Sequence, residues 1–244
     1  MVFIPIQDDN QLRSIRFQWV TLGLIAVNVA VFVATIAGIP ETVLLSFAIV
    51  PRELVDEGWR GFATYPHKYN FINVAERWTL LTYMFMHGNI MHLIGNMLFL
   101  WVFGDNVEDA MGHARYLAFY VLCGVFAAVF HSWLQPTSEI PLIGASGAVA
   151  GIIAAYLMLT PKVRVWVLVF RLLPLRLPAY VVLGSWIAIQ FAMPLLGQSG
   201  LLGQAGQAGE VSWWAHVGGI IAGAVLVLVM RRPGVPLFRG VGSR

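Results

Sequence analysis

Charged residues are scarce in this sequence of 244 residues, where Asp, Glu, Lys and Arg together make up 11%. Ordinary soluble domains contain about 25% of these residues. Hydrophobic residues make up 59%, and the mean hydropathy is +0.76. One soluble core cannot enclose so many apolar side chains, so we expect lipid to surround most of the chain. The shortage of charge therefore excludes an ordinary soluble globular protein.

Cysteine is almost absent as well, because Cys123 is the only one and lies within an apolar run. A single cysteine excludes an internal disulfide and argues against a cysteine-based metal site. The net charge of +3 would suggest nucleic-acid binding in a soluble protein. Here the basic residues cluster beside hydrophobic segments, where they indicate membrane orientation and contact with lipid headgroups. We therefore predict the lipid bilayer, and not nucleic acid, as a partner.

A cleavable signal peptide is also missing from the sequence. The first sixteen residues are largely polar, and the apolar segment after them is too long for the core of a signal peptide. We predict a cytoplasmic N-terminal segment over residues 1–18, a membrane domain over 19–231 and a cytoplasmic tail over 232–244. The absence of a transit peptide favours a plasma membrane, such as the bacterial inner membrane, over an organelle.

Hydropathy predicts an all-α, polytopic membrane protein with six transmembrane helices. The six apolar segments cover residues 19–37, 89–103, 116–133, 146–159, 179–196 and 211–230. With the N-terminus in the cytoplasm, only Arg52, Arg60, Lys68 and Arg77 fall on the outer side, which leaves eleven of the 15 Lys and Arg residues inside. This arrangement satisfies the positive-inside rule, so both termini are expected in the cytoplasm.

The connection over residues 38–88 is much longer than the others and mixes aromatic, aliphatic and charged residues. Such a composition is typical of a structured segment that lies in the membrane interface. Its last part is apolar, but His87-Gly88-Asn89 combines a helix breaker with a residue suited to helix capping. We therefore predict that the second membrane helix begins near Asn89.

The fourth segment is short and begins at Ser146, inside the sequence Gly144-Ala145-Ser146-Gly147. About fifteen residues make roughly 22 Å of helix, whereas the hydrocarbon core is about 30 Å thick. Anchored at its cytoplasmic end, this helix would place Ser146 roughly 8 Å below the outer surface. Irregular backbone at that depth indicates a protein-lined or watery cavity. The alternative is that Ser146 simply caps a helix.

His216 lies in the first two turns of the sixth segment, at nearly the depth of Ser146. Both segments carry a GxxxG pattern, which lets helix backbones approach closely. Close approach is what a serine hydroxyl needs to reach an imidazole. No carboxylate lies at comparable depth, so the pattern predicts a Ser146–His216 catalytic dyad without an acidic member. The alternative for His216 is an interfacial histidine beside a tryptophan belt.

Three further polar residues, His87, His92 and Asn96, lie just before or at the start of the second segment. His92 and Asn96 are four residues apart, hence on one helix face, and both are suitable donors to a developing oxyanion. The alternative is that they join helices by hydrogen bonds. His87, Gly144 and Trp214 are predicted to line a cavity for substrate and water. His87 and His92 lack the HExxH spacing of a zinc protease, so we predict no metal.

These residues resemble the motifs of the rhomboid intramembrane serine proteases over roughly residues 75–225. The shared motifs are His87-x4-His92-x3-Asn96, Gly104-x3-Glu108-x3-Gly112, Gly144-x-Ser146-Gly147 and Ala215-His216-x2-Gly219-x3-Gly223. The resemblance implies a six-helix core, with Ser146 as nucleophile, His216 as general base, and His92 and Asn96 in the oxyanion hole beside the Ser146 amide. It also implies that the fifth span and the following loop form the substrate gate.

Two positions depart from the family pattern. The family often has Trp-Arg in the first outer loop, where this sequence has Arg77-Trp78. Many members have a tyrosine four residues after the nucleophile, packed against the histidine ring, where this sequence has Ala150. The second departure leaves open which residue orients the imidazole of His216.

The sequence therefore predicts an intramembrane serine endopeptidase that needs no cofactor and cleaves transmembrane segments of membrane proteins, with an active site open to the extracytoplasmic side. One alternative is a non-catalytic, helix-binding chaperone of the same fold, which would not require Ser146 and His216 together. A second is a transporter built on intramembrane histidines. Transporters usually contain internal repeats, and this sequence has none that we detect.

Overall fold

The computed structural model describes residues 3–56, 74–169, 173–198 and 212–238. Its elements follow in chain order: β1 (Phe3–Asp8), α1 (Trp19–Ile36), α2 (Glu41–Leu45), α3 (Pro51–Asp56), α4 (Glu76–Thr82), a 3-10 turn (Tyr83–Phe85), α5 (Ile90–Met111), α6 (His113–Leu134), α7 (Ser146–Leu159), β2 (Arg164–Val169), β3 (Leu173–Pro178), α8 (Ala179–Gln198) and α9 (Trp213–Met230).

In the described part of the chain, five helices are long and apolar enough to cross a membrane, namely α1, α5, α6, α8 and α9. The apolar helix α7 is shorter, as its sequence predicted. Large hydrophobic side chains on these helices point outward, including Val33, Trp133 and Val229, which are 50%, 71% and 75% exposed. Such an exterior suits lipid and not water. The prediction of a polytopic helical membrane protein is confirmed.

The shortest of these helices, α7, lies at the centre of the bundle. Every residue from Gly147 to Tyr156 is buried, and α7 packs against α5, α6, α8 and α9. The small residues Gly147, Gly151 and Ala155 let the neighbouring helices come close. A helix enclosed by protein can begin below the membrane surface, because its irregular N-terminal connection does not meet lipid.

The start of the second membrane helix was predicted correctly. Asn89 is the N-cap of α5, and its side chain accepts a hydrogen bond of 2.8 Å from the backbone N–H of His92. The apolar residues before it form the separate helix α4 and the 3-10 turn. Within the long connection the structure also has α2 and α3, while residues 57–73 lie outside the described residues.

The end of the second helix was predicted wrongly, because α5 continues for two more turns beyond residue 103 to Met111. The carboxylates in these turns have structural partners. Asp109 accepts hydrogen bonds from the backbone N–H groups of Ser14 and Ile15 at 2.6 and 2.7 Å. The helix ends at Gly112, whose φ of 85° favours glycine. Smaller shifts place α6 at 113–134, α8 at 179–198 and the start of α9 at Trp213, and residue 211 lies outside the described residues.

Glu108 joins the C-terminal part of α5 to the start of α1. Its fully buried carboxylate accepts hydrogen bonds from the N–H groups of Val20 and Thr21 at 3.0 and 2.9 Å, and from the Thr21 hydroxyl at 2.7 Å. The imidazole of His113 lies 2.5 Å from the same carboxylate. The first amides of a helix lack partners within it and attract negative charge. Glu108 therefore caps α1 from a neighbouring helix.

Glu108→Ala is expected to lower the free energy of unfolding by about 3–5 kcal/mol, because it leaves several buried donors without an acceptor. Thermal unfolding in detergent measures the effect. Glu139→Ala is the control, because that exposed carboxylate forms a surface ion pair with Arg52, which contributes at most about 1 kcal/mol. Equal unfolding temperatures for the two variants would contradict the capping role.

A three-stranded antiparallel sheet of order β1-β2-β3 is the part of the fold that sequence analysis did not predict. Phe3 pairs with Val169 and Asp8 with Val165, while Arg164 pairs with Pro178. The all-α prediction holds for the membrane bundle and needs this sheet as a correction. Buried and more exposed residues alternate along β2, as at Val165, Trp166 and Val167. Such alternation of β-branched and aromatic residues is typical of a strand.

The sheet is attached to the bundle through Asp8 at the end of β1. Its carboxylate accepts hydrogen bonds from the Tyr156 hydroxyl of α7 at 2.5 Å and from the Asn106 amide of α5 at 3.0 Å. Val165 and Val167 are fully buried on the side of the sheet that packs on the core. The N-terminal segment is thus held against the ends of α5 and α7 opposite Ser146.

Candidate active site

The connection before α7 requires glycine at position 144. Gly144 has a φ of +118°, and its N–H donates a hydrogen bond of 2.9 Å to the carbonyl oxygen of Tyr83. A Cβ atom there would lie 2.6 Å from Cε1 of His92. Backbone conformation and lack of space therefore both favour glycine. The consequence is that the backbone just before Ser146 touches the His92 imidazole.

Ser146 is the first residue of α7, and the N-cap is Ala145. Among the residues that the structure describes, no side chain caps this helix by a hydrogen bond. The alternative interpretation of Ser146 as a capping serine is therefore wrong. The residue is partly exposed, whereas the ten residues after it are buried. The hydroxyl of Ser146 is left without a capping role at the N-terminus of a central helix.

The backbones of α7 and α9 touch along their glycine faces. A Cβ atom on Gly219 would lie 1.9 Å from the carbonyl oxygen of Gly147, and one on Gly223 would lie 2.2 Å from that of Gly151. The two pairs are four residues apart in each helix, so the helices run in the same direction in register. The close approach predicted from the two GxxxG patterns is confirmed.

This contact brings Ser146 and His216 to the same end of two touching helices. Ser146 directly precedes Gly147, and His216 lies one turn before Gly219. The carbonyl oxygen of Ala215 is also 3.6 Å from the Cβ position of Gly147. Ala215, just before His216, and Gly219, three residues after it, therefore both lie next to Gly147, the residue that follows Ser146.

His216 is 8% exposed and has a hydrogen-bond partner on α8. Its Nδ1 lies 2.7 Å from Oε1 of Gln190. The rings of Trp186 and Trp213 lie beside the imidazole, at centroid distances of 5.9 and 6.4 Å. His216 is thus enclosed by side chains of α8 and by the first turn of its own helix.

His92 and Asn96 lie on α5 and face the connection before α7. The ring of His92 and the amide nitrogen of Asn96 lie 2.6–2.7 and 3.8 Å from the Cβ position of Gly144. The Asn96 amide lies 3.0 Å from Nε2 of His87, and the rings of His87 and His92 are 5.0 Å apart. Burial and the nearby charge of His92 lower the pKa of His87 to about 4, so His87 is neutral near pH 7.

Trp214 was predicted to line the same cavity, and its ring centroid lies 6.5 Å from that of Phe130 on α6. Trp213 is the tryptophan of this turn whose ring lies beside His216. Among the described residues, no three His, Cys, Asp or Glu side chains come together in an arrangement that could hold a metal ion.

Gln190 is the site residue that sequence analysis missed. It is 3% exposed and lies in the middle of a largely apolar membrane helix. A polar residue in such a helix is a functional candidate by default, so its amide was the available signal. The sequence had left open which residue orients His216, and Gln190 is the side chain that contacts its imidazole.

These features define the class of the protein: a multi-pass helical membrane protein with a serine and a histidine at the same end of two touching central helices. The model of the Rhomboid domain matches residues 74–233 of this chain. The chain therefore belongs to the rhomboid family.

Several curated relatives are similar to parts of the chain. Rhomboid protease GluP of Bacillus subtilis is 36% identical over 88 residues, which cover 36% of this chain and 17% of the relative. Rhomboid protease AarA of Providencia stuartii is 33% identical over 108 residues, or 39% and 38% of the two chains. The chloroplastic Rhomboid-like protein 11 of Arabidopsis thaliana is 28% identical over 167 residues, or 67% and 56%. The chain thus spans between 17% and 56% of the length of these relatives.

Proposed function

We propose that this protein is an intramembrane serine endopeptidase that hydrolyses peptide bonds in or near transmembrane segments of other membrane proteins. Ser146 is the nucleophile and His216 the general base. The observation that carries the proposal is the backbone contact between α7 and α9 beside these two residues. A hydroxyl must lie about 2.6–3.2 Å from the imidazole that activates it. The names of two bacterial relatives, both rhomboid proteases, agree with this chemistry.

In the first step the Oγ atom of Ser146 attacks the carbonyl carbon of the substrate, while His216 takes the hydroxyl proton. His216 then returns this proton to the leaving amine, and the acyl-enzyme forms. In the second step His216 activates a water molecule, which attacks the ester and releases the acid product and free Ser146. The proton thus moves to His216 and back in each half of the reaction.

The developing oxyanion needs donors at the N-terminus of α7. The first amides of a helix have no partner within it, and α7 has no side-chain cap to occupy them. The His92 ring and the Asn96 amide lie next to Gly144, just before this turn. We assign the Ser146 amide, His92 and Asn96 to the oxyanion hole. His87 then orients Asn96 through the 3.0 Å contact.

The membrane setting determines what the enzyme can cut. A peptide bond in an intact helix is shielded and fully hydrogen-bonded, so the substrate must unwind locally. Small and helix-destabilising residues near the cleaved bond should therefore be favoured. We place the termini and the sheet in the cytoplasm from the distribution of basic residues, which opens the site to the extracytoplasmic side of a bacterial plasma membrane.

A fluorophosphonate probe tests the nucleophile directly. The purified full-length chain in detergent is expected to form one covalent adduct, which mass spectrometry assigns to the peptide that contains Ser146. Ser146→Ala should abolish labelling. Ser185→Ala is the matched control, because this serine lies on α8 and its hydroxyl donates only to the Val182 carbonyl among the described contacts; its labelling should equal that of the wild type.

Two results would contradict the assignment. An adduct that persists in Ser146→Ala would place the nucleophile elsewhere. A folded wild-type protein that forms no adduct and cleaves no model transmembrane substrate, yet binds that substrate, would support the non-catalytic chaperone instead.

A further inference from the structure

We infer that Gln190 is the positioning residue for His216, in the place that an aspartate takes in a catalytic triad. This inference rests on the proposed function, because it assigns a role relative to the proposed general base. Gln190 and His216 come from different helices, α8 and α9, and their side chains meet at 2.7 Å. Gln190 holds one imidazole nitrogen, which leaves the other free for Ser146.

The hydrogen bonds of Gln190 determine which atom of its amide faces His216. Its Nε2 donates a hydrogen bond of 3.1 Å to the carbonyl oxygen of Trp186, one turn earlier in α8. A carbonyl oxygen only accepts, so the amide nitrogen must point there and Oε1 must point to His216. Because Oε1 is also only an acceptor, the Nδ1 atom of His216 carries the proton.

This tautomer is the one that a general base requires. In a neutral imidazole with a proton on Nδ1, the lone pair is on Nε2. With Nδ1 directed to α8, Nε2 is directed away from Gln190 and can accept the Ser146 proton. In the opposite tautomer Nε2 would already hold a proton and could not serve as a base.

Burial makes this hydrogen bond a strong constraint. Gln190 and His216 are 3% and 8% exposed, so bulk water competes little for the hydrogen bond between them. A buried amide without partners costs about 1–3 kcal/mol. Gln190 uses both ends of its amide, one on Trp186 and one on His216. The observed orientation of the Gln190 amide is therefore favoured over rotamers that would break either hydrogen bond.

Trp186 lies on the same face of α8 as Gln190, because it precedes Gln190 by four residues, and its ring also lies beside the imidazole. Its ring centroid is 5.9 Å from that of His216, with an interplanar angle of 35°. Trp186 also packs against the cluster formed by Ala150, Ala154 and Ile220. One face of α8 thus orients His216 through a ring contact and a hydrogen bond.

A glutamine orients the imidazole without adding charge. An aspartate or glutamate would also stabilise the imidazolium, but a carboxylate within an apolar helix is costly to bury. We therefore expect a smaller effect than from loss of the base itself. Gln190→Met keeps the size of the side chain and removes the acceptor. It should lower kcat by about 10–100-fold, with KM changed by less than about threefold.

The first measurement is the tautomer of His216, read from 15N NMR of histidine-labelled full-length protein in detergent, with His216→Ala used for assignment. The wild type should show a proton on Nδ1. In Gln190→Met the population should move toward the Nε2–H form. Gln190→Glu keeps an oxygen acceptor in either protonation state, so it should restore the Nδ1–H tautomer and raise kcat above that of Gln190→Met.

The matched control is Asn28→Leu in α1. Asn28 is buried, and its amide donates to the Leu24 carbonyl one turn earlier, which is the same bond that Gln190 makes to Trp186. This variant loses a buried helix amide remote from His216, so its kcat and His216 spectrum should match the wild type. Thermal unfolding of all variants checks that they are folded.

Gln190→Met with an unchanged His216 tautomer and kcat would overturn the inference, and so would an equal loss of kcat in Asn28→Leu. The NMR result does not depend on cleavage. If the wild type cleaves no substrate but Gln190→Met changes the tautomer, the proposed function fails while the role of Gln190 in orienting His216 stands.

Discussion

His216→Ala is expected to lower the rate of cleavage of a model transmembrane substrate by about 10⁴-fold or more, while the protein remains folded. Without the imidazole no group takes the proton of Ser146. The wild type and the variant should be compared in proteoliposomes at equal amounts of inserted protein. Residual cleavage would come from substrate binding and the oxyanion donors alone.

A double variant tests whether Ser146 and His216 act together. If Ser146 and His216 act as a unit, the combination of Ser146→Ala with His216→Ala should be no slower than either single variant. Additive losses would show that the two residues act separately. His113→Ala is the matched control, because His113 lies near the opposite end of α5 and contacts Glu108; it should cleave at close to the wild-type rate.

Gly219→Ala is expected to cause both a large loss of stability and a loss of cleavage. The added Cβ atom would lie 1.9 Å from the carbonyl oxygen of Gly147. This oxygen belongs to the backbone of the buried helix α7, so it cannot move aside as a flexible side chain could. Overpacking of this kind costs about 3 kcal/mol. For a chain of this size that lowers the unfolding temperature by about 6–12 °C.

Gly223→Ala should behave in the same way, since its Cβ atom would lie 2.2 Å from the Gly151 carbonyl oxygen. Gly95→Ala and Gly184→Ala are the controls, because a Cβ atom on either meets nothing within 4 Å. Those two variants should unfold at the wild-type temperature or slightly above it, because alanine favours helix. Equal unfolding temperatures for Gly219→Ala and Gly95→Ala would show that α7 and α9 are not in backbone contact.

The helices that face lipid were predicted well because each meets the bilayer independently. The hydropathy of the lipid-facing helix α1 gave bounds within one residue of the structure, and the apolar run of α7, which protein encloses, gave the observed bounds. Local signals also worked where their mechanism is local, as at Asn89, whose side chain caps α5 within four residues of sequence. Such features depend on short-range geometry and on the solvent, both of which can be read along the chain.

The wrong or missing predictions all involve partners that are distant in sequence. The end of α5 was placed too early because the carboxylate of Glu108 meets amides of α1 that lie 87 and 88 residues away. The sheet was missed because β1 pairs with a strand more than 150 residues later. Whether a carboxylate lies within a helix, or a segment forms a strand, depends on the distant residues that it contacts.

The sequence by itself determined the class of this protein, the order of its membrane helices, and the glycine faces that bring α7 and α9 together. Only the tertiary structure decided what surrounds His216. A glutamine in an apolar helix shows that some polar partner is needed, but which one depends on how α8 rotates against α9. In the structure Trp186 of α8 packs against the cluster formed by Ala150, Ala154 and Ile220, a contact between helices that no single segment encodes.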